Sequence, residues 1–217
     1  MTIEIKVLTL GIASTNCYII GDTESKEAVV IDPVDQAELL FKAAQDAGWT
    51  IKLMVATHGH FDHVLATKDL KAKTAAPFYI HHKGEDWLRE MPQQGLMFTG
   101  KPFPEAATPD RWLTDDTETL SVGAIHLETI YTPGHSPDHL CFYMREQGIV
   151  FSGDCLFAGS IGRTDLPGGD FNQLMRSIID KLLPLEDETV VLSGHMDKTT
   201  IGTERATNPF IAGYDGD

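Results

Sequence analysis

Positive charge is what this chain has least of: 17 Lys+Arg stand against 32 Asp+Glu, a formal net charge of -15 at pH 7. A field of that sign repels polynucleotides and anionic bilayers, so neither nucleic acid nor a membrane is an expected partner. Cysteine is scarce as well. Cys17, Cys141 and Cys155 cannot all pair within one chain, and none lies in a Cys-x-x-Cys, so buried thiols in a reducing cytoplasm are expected rather than a disulfide scaffold. No apolar run approaches the roughly 20 residues that span a bilayer. Met1-Thr2-Ile3-Glu4 passes straight into strand-like alternation, without a basic and apolar leader, which points to an unsecreted, soluble protein.

What remains is an ordinary globular composition. With 217 residues, 42% hydrophobic and 23% charged, the chain can bury one sizeable core, and no composition break divides it, so a single domain over 1–217 is expected. Residues 3–10 alternate with period two, and Cys17–Ile20 and Ala28–Ile31 read as further strands of an antiparallel opening meander. A helix is expected over 35–47, with Asp35 as its N-cap and Gly48 as its stop. Ile51–Ala56 and Phe78–Ile80 read as strands, Glu85–Glu90 as a short helical piece, and residues 91–110, with four prolines, as a loop that either covers a pocket or is a variable surface excursion. Ile125–Tyr131, Leu140–Met144, Ile149–Ser152 and Thr189–Leu192 are strands, with an amphipathic helix over Phe171–Leu183 closed by Pro184. Two β-rich halves, each with helices on one side, predict an α/β fold of four layers, an αββα sandwich.

The chemistry centres on Thr57-His58-Gly59-His60-Phe61-Asp62-His63, between a predicted strand and a helix-compatible stretch. Three imidazoles and a carboxylate aimed by one turn suit Zn2+ and its first-row neighbours. Three later loops offer further donors, each after a predicted strand: His135 in Thr132-Pro133-Gly134-His135, Asp154 in Ser152-Gly153-Asp154, and His195 in Ser193-Gly194-His195. Asp32, at a strand end, can accept an N–H from a ligating imidazole and fix its tautomer, or cap the turn that follows. His81, His82 and His126 lack motif partners and read as ordinary histidines. Cys155, next to Asp154, should point away from it on a strand-like backbone.

This pattern resembles the metallo-β-lactamase superfamily along the length of the chain. The resemblance implies that family's αββα fold, with a site in the crevice between the loops of the two sheets. It also implies two divalent metal ions, most simply Zn2+ with Fe or Mn as substitutes. His58, His60 and His135 would hold the first, Asp62, His63 and His195 the second, and Asp154 would bridge them. Residues 153–165, Thr132–His135, Thr199–Arg205 and Asn208-Pro209-Phe210 look like small bacterial glyoxalase II-like hydrolases. His60 stands where oxygen-reducing diiron relatives carry glutamate, and Asp154 is a bridging carboxylate that most true β-lactamases lack.

The implied reaction is attack on a small-molecule thioester such as S-lactoylglutathione, by hydroxide held between two cations about 3.5–4 Å apart. Asp62 and Asp154 are the expected catalytic carboxylates, Asp62 orienting the hydroxide. His139 fits the family pattern as a supporting residue behind the ligands, and Arg163 and the 91–110 stretch are nominated for substrate contact. Glyoxalase II proteins carry a C-terminal helical extension for glutathione, and no counterpart of it is expected after Phe210, so glutathione is not expected to be held in that way. Asp138, and Met196-Asp197, replace residues the family usually has and could add negative charge near the metals. The rivals are a mononuclear iron persulfide dioxygenase, built on His58, His135 and Asp154, a lactonase or β-lactamase-like hydrolase on the same residues, and a non-catalytic metal-binding domain.

Overall fold

Strands rich in β-branched residues form two six-stranded sheets in the computed structural model, which describes residues 3–214. The chain divides into two compact units, one of residues up to 114 with 121–126, the other of 115–120 with 127 onward.

In the first unit, β1 (Ile3–Leu10), β2 (Thr15–Asp22) and β3 (Glu27–Ile31) form the expected antiparallel meander. Helix α1 (Ala37–Asp46) then crosses to β4 (Thr50–Val55), which pairs parallel with β3. Two short helices, α2 (Phe61–Val64) and α3 (Thr67–Thr74), lead to β5 (Phe78–His81), also parallel. Next come α4 (Glu85–Arg89), α5 (Met91–Thr99) and the edge strand β6 (Arg111–Leu113). Leu40, Met54, Leu70, Phe78 and Ile80 are fully buried members of this unit's core.

The second sheet contains β7 (Thr119–Val122), β8 (Ile125–Tyr131), β9 (Leu140–Met144) and β10 (Ile149–Gly153). A small hairpin, β11 (Leu156–Phe157) and β12 (Ser160–Ile161), precedes α6 (Phe171–Ser177). Helix α6 runs on through a π-helical turn at Ile178–Leu182 and ends before Pro184, which cannot continue a helix. Strand β13 (Val190–Ser193) pairs parallel with β10, and β14 (Thr199–Thr200), α7 (Ile201–Thr207) and α8 (Pro209–Ala212) complete the unit. Its core holds Cys141, Cys155, Leu174, Met175, Ile178 and Val191. Among the described residues no helix is long and apolar enough to cross a membrane.

Parallel pairing decides where the polar residues gather. Strand β3 ends at Ile31 opposite Val55, the last residue of β4, so Asp32 and the 57–63 loop emerge side by side. Gly153 at the end of β10 pairs with Ser193 at the end of β13, which does the same for Asp154 and His195. In open α/β sheets the carboxyl ends of parallel strands are where ligands bind.

Three local expectations are corrected. The stretch 91–110 is not all loop, because α5 occupies its first half. Pro92 sits in the first turn, where a missing N–H costs nothing, and Gly100 ends the helix at φ 74. Asp35 is not the N-cap of α1: Gln36 holds that position at φ 52, and Asp35 Oδ1 instead accepts the Gln36 N–H at 2.7 Å. The helix-compatible stretch that follows the 57–63 motif is two helices with a break at 65–66, not one.

Two measurements test this account. A Cβ on Gly21 would lie 2.1 Å from the buried indole of Trp49, so Gly21→Ala should lower the free energy of unfolding by about 1–3 kcal/mol, read as a shifted urea midpoint at unchanged slope. Asp22 accepts hydrogen bonds from Glu24 N, Ser25 Oγ and Ala124 N at 2.8–3.0 Å, and these hold its pKa down at about 2. A carboxyl with a lowered folded-state pKa stabilises fully above its unfolded value of roughly 3.9 and loses that contribution as pH falls through the folded one. Asp22→Asn should therefore lower the urea midpoint at pH 7, and the gap from the parent should close as pH is taken from about 4 towards 2.

Candidate metal centre

In the first unit the 57–63 loop is fixed from behind by Asp32, whose carboxylate is buried. Asp32 Oδ1 accepts the Thr57 N–H at 2.7 Å, and Oδ2 accepts the Thr57 hydroxyl at 2.9 Å and lies 2.9 Å from His63 Nδ1. A carboxylate only accepts, so His63 carries its proton on Nδ1 and presents the lone pair of Nε2. The Thr57 hydroxyl has spent its proton on Asp32, so at 3.0 Å it accepts from His58 Nδ1, and His58 likewise presents Nε2. His58 Nε2 and His60 Nδ1 converge to 2.9 Å, and His63 Nε2 stands 3.6 Å from Asp62 Oδ2. Thr15 Oγ1 donates to that same Asp62 oxygen at 2.9 Å.

The second unit uses backbone where the first uses a carboxylate. His135 Nδ1 donates to the Arg163 carbonyl at 2.7 Å, which leaves Nε2 as the presented atom, 3.6 Å from Asp154 Oδ2. His195 Nε2 lies 3.4 Å from the same oxygen. Behind Asp154 sits His139: its Nε2 accepts the Asp154 N–H at 3.0 Å, so its Nδ1 carries the proton and donates to Thr132 Oγ1 at 2.9 Å.

Two glycines make these approaches possible. Gly134 has φ 138, and a Cβ there would stand 2.2 Å from Leu174 N. A Cβ on Gly162 would stand 1.8 Å from the Asp154 carbonyl oxygen. Cys155 does turn away from Asp154: it is packed beside Cys141, and burial pushes its thiol well above the ordinary range. All three cysteines are buried and free.

The donors fit divalent metal. Imidazole nitrogens and carboxylate oxygens are the ligand types of zinc and its neighbours. Two ligands on one tetrahedral ion at 2.0–2.1 Å stand roughly 3.3 Å apart, and the four donor pairs above span 2.9–3.6 Å.

Other residues named from the sequence have different surroundings. The Arg163 guanidinium is engaged by Asp165 at 2.7 and 2.8 Å, so its contribution to the cluster is its carbonyl. Asp138 is buried and accepts from Ser136 Oγ, whereas Met196 and Asp197 are exposed. His81 is buried and accepts the Lys83 N–H, His82 bonds the Leu113 carbonyl and His126 bonds Ser121. The sequence missed Thr15, Thr57, Trp87 and Gln94. Thr57 lay inside the motif, and its hydroxyl next to a histidine was the available signal. Gln94 Oε1 accepts the Phe61 N–H at 3.2 Å across 33 residues of sequence, for which no local pattern exists.

The sequence profile of the metallo-beta-lactamase superfamily matches residues 10–195. Hydroxyacylglutathione hydrolase GloC of Haemophilus influenzae is 38% identical over 209 residues, 96% of this chain and 98% of that one. Among solved structures, BLEG-1 B3 metallo-beta-lactamase superposes with a TM-score of 0.91 at 40% identity, covering 97% of this chain and 100% of that one. TTHA1623 in a di-iron-bound form superposes with a TM-score of 0.84 at 36% identity, covering 94% and 99%. The two sheets with their helices have the metallo-β-lactamase fold, and by sequence and fold alike this chain belongs to the metallo-β-lactamase superfamily.

Proposed function

We propose that this protein is a metal-dependent hydrolase of small-molecule thioesters, of the glyoxalase II type, with S-lactoylglutathione as the reference substrate. The observation that carries this reading is the likeness to GloC over nearly the whole of both chains. The proposed ligands are His58, His60, Asp62, His63, His135, Asp154 and His195, holding two divalent cations, with Zn2+ or iron as the candidates. We take residues 1–217 as one hydrolase domain, and the three free, buried cysteines support a reducing cytoplasm as its location.

Bound cations of this kind supply a Lewis acid that polarises the thioester carbonyl and makes hydroxide available near neutral pH. The chain's own residues prepare that chemistry. Asp32 and Thr57 hold His58 and His63 in the tautomers that present Nε2, and the Arg163 carbonyl does so for His135. Asp62, steadied by the Thr15 hydroxyl, can accept a hydrogen bond from the attacking water and orient it. Hydrolysis forms a bond from the water oxygen to the carbonyl carbon and breaks the C–S bond. The thiolate leaves with the electron pair, and the proton lost by water ends on the thiol or in solvent.

A second reading, hydrolysis of a β-lactam amide by the same residues, is favoured by the 40% identity to BLEG-1. Parallel assays with S-lactoylglutathione and a chromogenic cephalosporin separate the two. A kcat/KM at least about tenfold greater for the thioester supports the first reading, and the reverse order overturns it.

Two variants test the residues. Asp32→Asn should weaken metal retention in a chelator titration by about 10–100-fold, because an amide cannot hold both Thr57 and His63 as the carboxylate does. His58→Ala should remove metal, by elemental analysis, and cut thioester hydrolysis by more than that; retention of both would sink the assignment.

A further inference from the structure

Helix α5 is fastened to the 57–63 loop and yet leaves a run of apolar side chains in water. Gln94 is the fastener. It is buried, its Oε1 accepts the Phe61 N–H at 3.2 Å, and its Nε2 donates to the Trp87 carbonyl at 2.8 Å. Trp87 in turn sets its ring edge-on to His60, centroids 4.7 Å apart, and Phe98 lies 5.1 Å from Phe61. Beyond this contact Leu96, Met97 and Phe98 are 52%, 77% and 48% exposed, three consecutive large apolar residues at the end of the helix. Contiguous apolar surface left in water usually marks a binding site.

Charge narrows the occupant. The cations on and flanking this segment are Lys83, Arg89 and Lys101, against Glu85, Asp86 and Glu90, and none lies between Glu90 and Gly100. Arg89 is engaged by Asp86 at 2.5 Å and lies 3.7 Å from Glu90. Leu96, Met97 and Phe98 themselves carry no charge, and the net charge of -15 opposes an anionic ligand.

We propose that Trp87, Met97 and Phe98 form an apolar surface beside the His58–His63 loop that receives the uncharged, hydrophobic thiol half of a thioester substrate. The proposal rests on the hydrolase reading and names its substrate class. It makes Met97 and Phe98 specificity-determining residues, with Gln94 positioning the helix that carries them.

The test compares two lactoyl thioesters that share an acyl group, one of benzyl mercaptan and one of glutathione. It adds quenching of tryptophan fluorescence by the uncharged thioether S-benzyl-N-acetylcysteamine, a readout independent of turnover. The parent should favour the benzyl thioester by at least ~10-fold in kcat/KM, and Phe98→Ser and Met97→Ser should each reduce that preference to about twofold or less through KM. The quench should weaken in both. Met97 is largely exposed and its replacement leaves the core untouched, so misfolding of the Phe98 variant does not spoil the test.

Equal use of the two thioesters, or a preference for glutathione, overturns the proposal. A parent dimer that Met97→Ser converts to monomer in sedimentation also overturns it, since the surface would then be a contact between two copies of the chain. Quenching without hydrolysis of either thioester would leave the apolar surface standing and remove the hydrolase reading. Hydrolysis of S-lactoylglutathione without quenching would do the opposite.

Discussion

A single buried carboxylate organises the donor loop of the first unit. Asp32 takes a left-handed backbone turn at φ 52 immediately after β3, and its two oxygens collect the Thr57 N–H, the Thr57 hydroxyl and His63 Nδ1. An unpaired charge at that depth would be expensive, and removing one partner of a buried pair typically costs about 3–5 kcal/mol. The loop after β4 therefore cannot leave its place without stranding the charge. The same three contacts set the protonation pattern of His58 and His63, so that one constraint fixes both position and chemistry.

The second unit reaches a similar end by steric means. His135 is oriented by a peptide carbonyl and Asp154 by the acceptor nitrogen of His139, which a threonine hydroxyl holds from behind. Close approach is what makes these bonds possible, and Gly134 and Gly162 occupy positions where a Cβ would collide with backbone atoms. Cys155 illustrates how little separates a ligand position from a core position. One residue after Asp154, it is turned inward among Cys141, Leu156 and Ile161, and burial suppresses its thiolate.

The donors are set by strand ends and tight turns, whereas α4 and α5 sit on top of that frame, joined to it through Gln94 and the Phe61–Phe98 and His60–Trp87 ring contacts. Leu96, Met97 and Phe98 on the outer face of α5 are exposed and can change without disturbing the donors.

The sequence by itself determined the two-sheet fold, and it pointed to the 57–63 loop and the later strand ends as the places where imidazole and carboxylate donors gather. Strand periodicity is local, and donor residues that share one turn or follow a strand announce themselves within a few positions. Asp32 could be suspected from its strand end, but its choice between helix cap and histidine support depended on the parallel pairing of β3 with β4, a contact 25 residues apart. The helix at 91–99 was hidden because Pro92 and Gly100 read as loop signals when their positions relative to the helix ends are unknown. Thr15 and Gln94 reach the loop from 47 and 33 residues away, and Arg163 serves through its peptide oxygen. Only the tertiary structure decided these, because a hydrogen bond between distant residues, or one made by a backbone atom common to every residue, leaves no mark in the order of side chains.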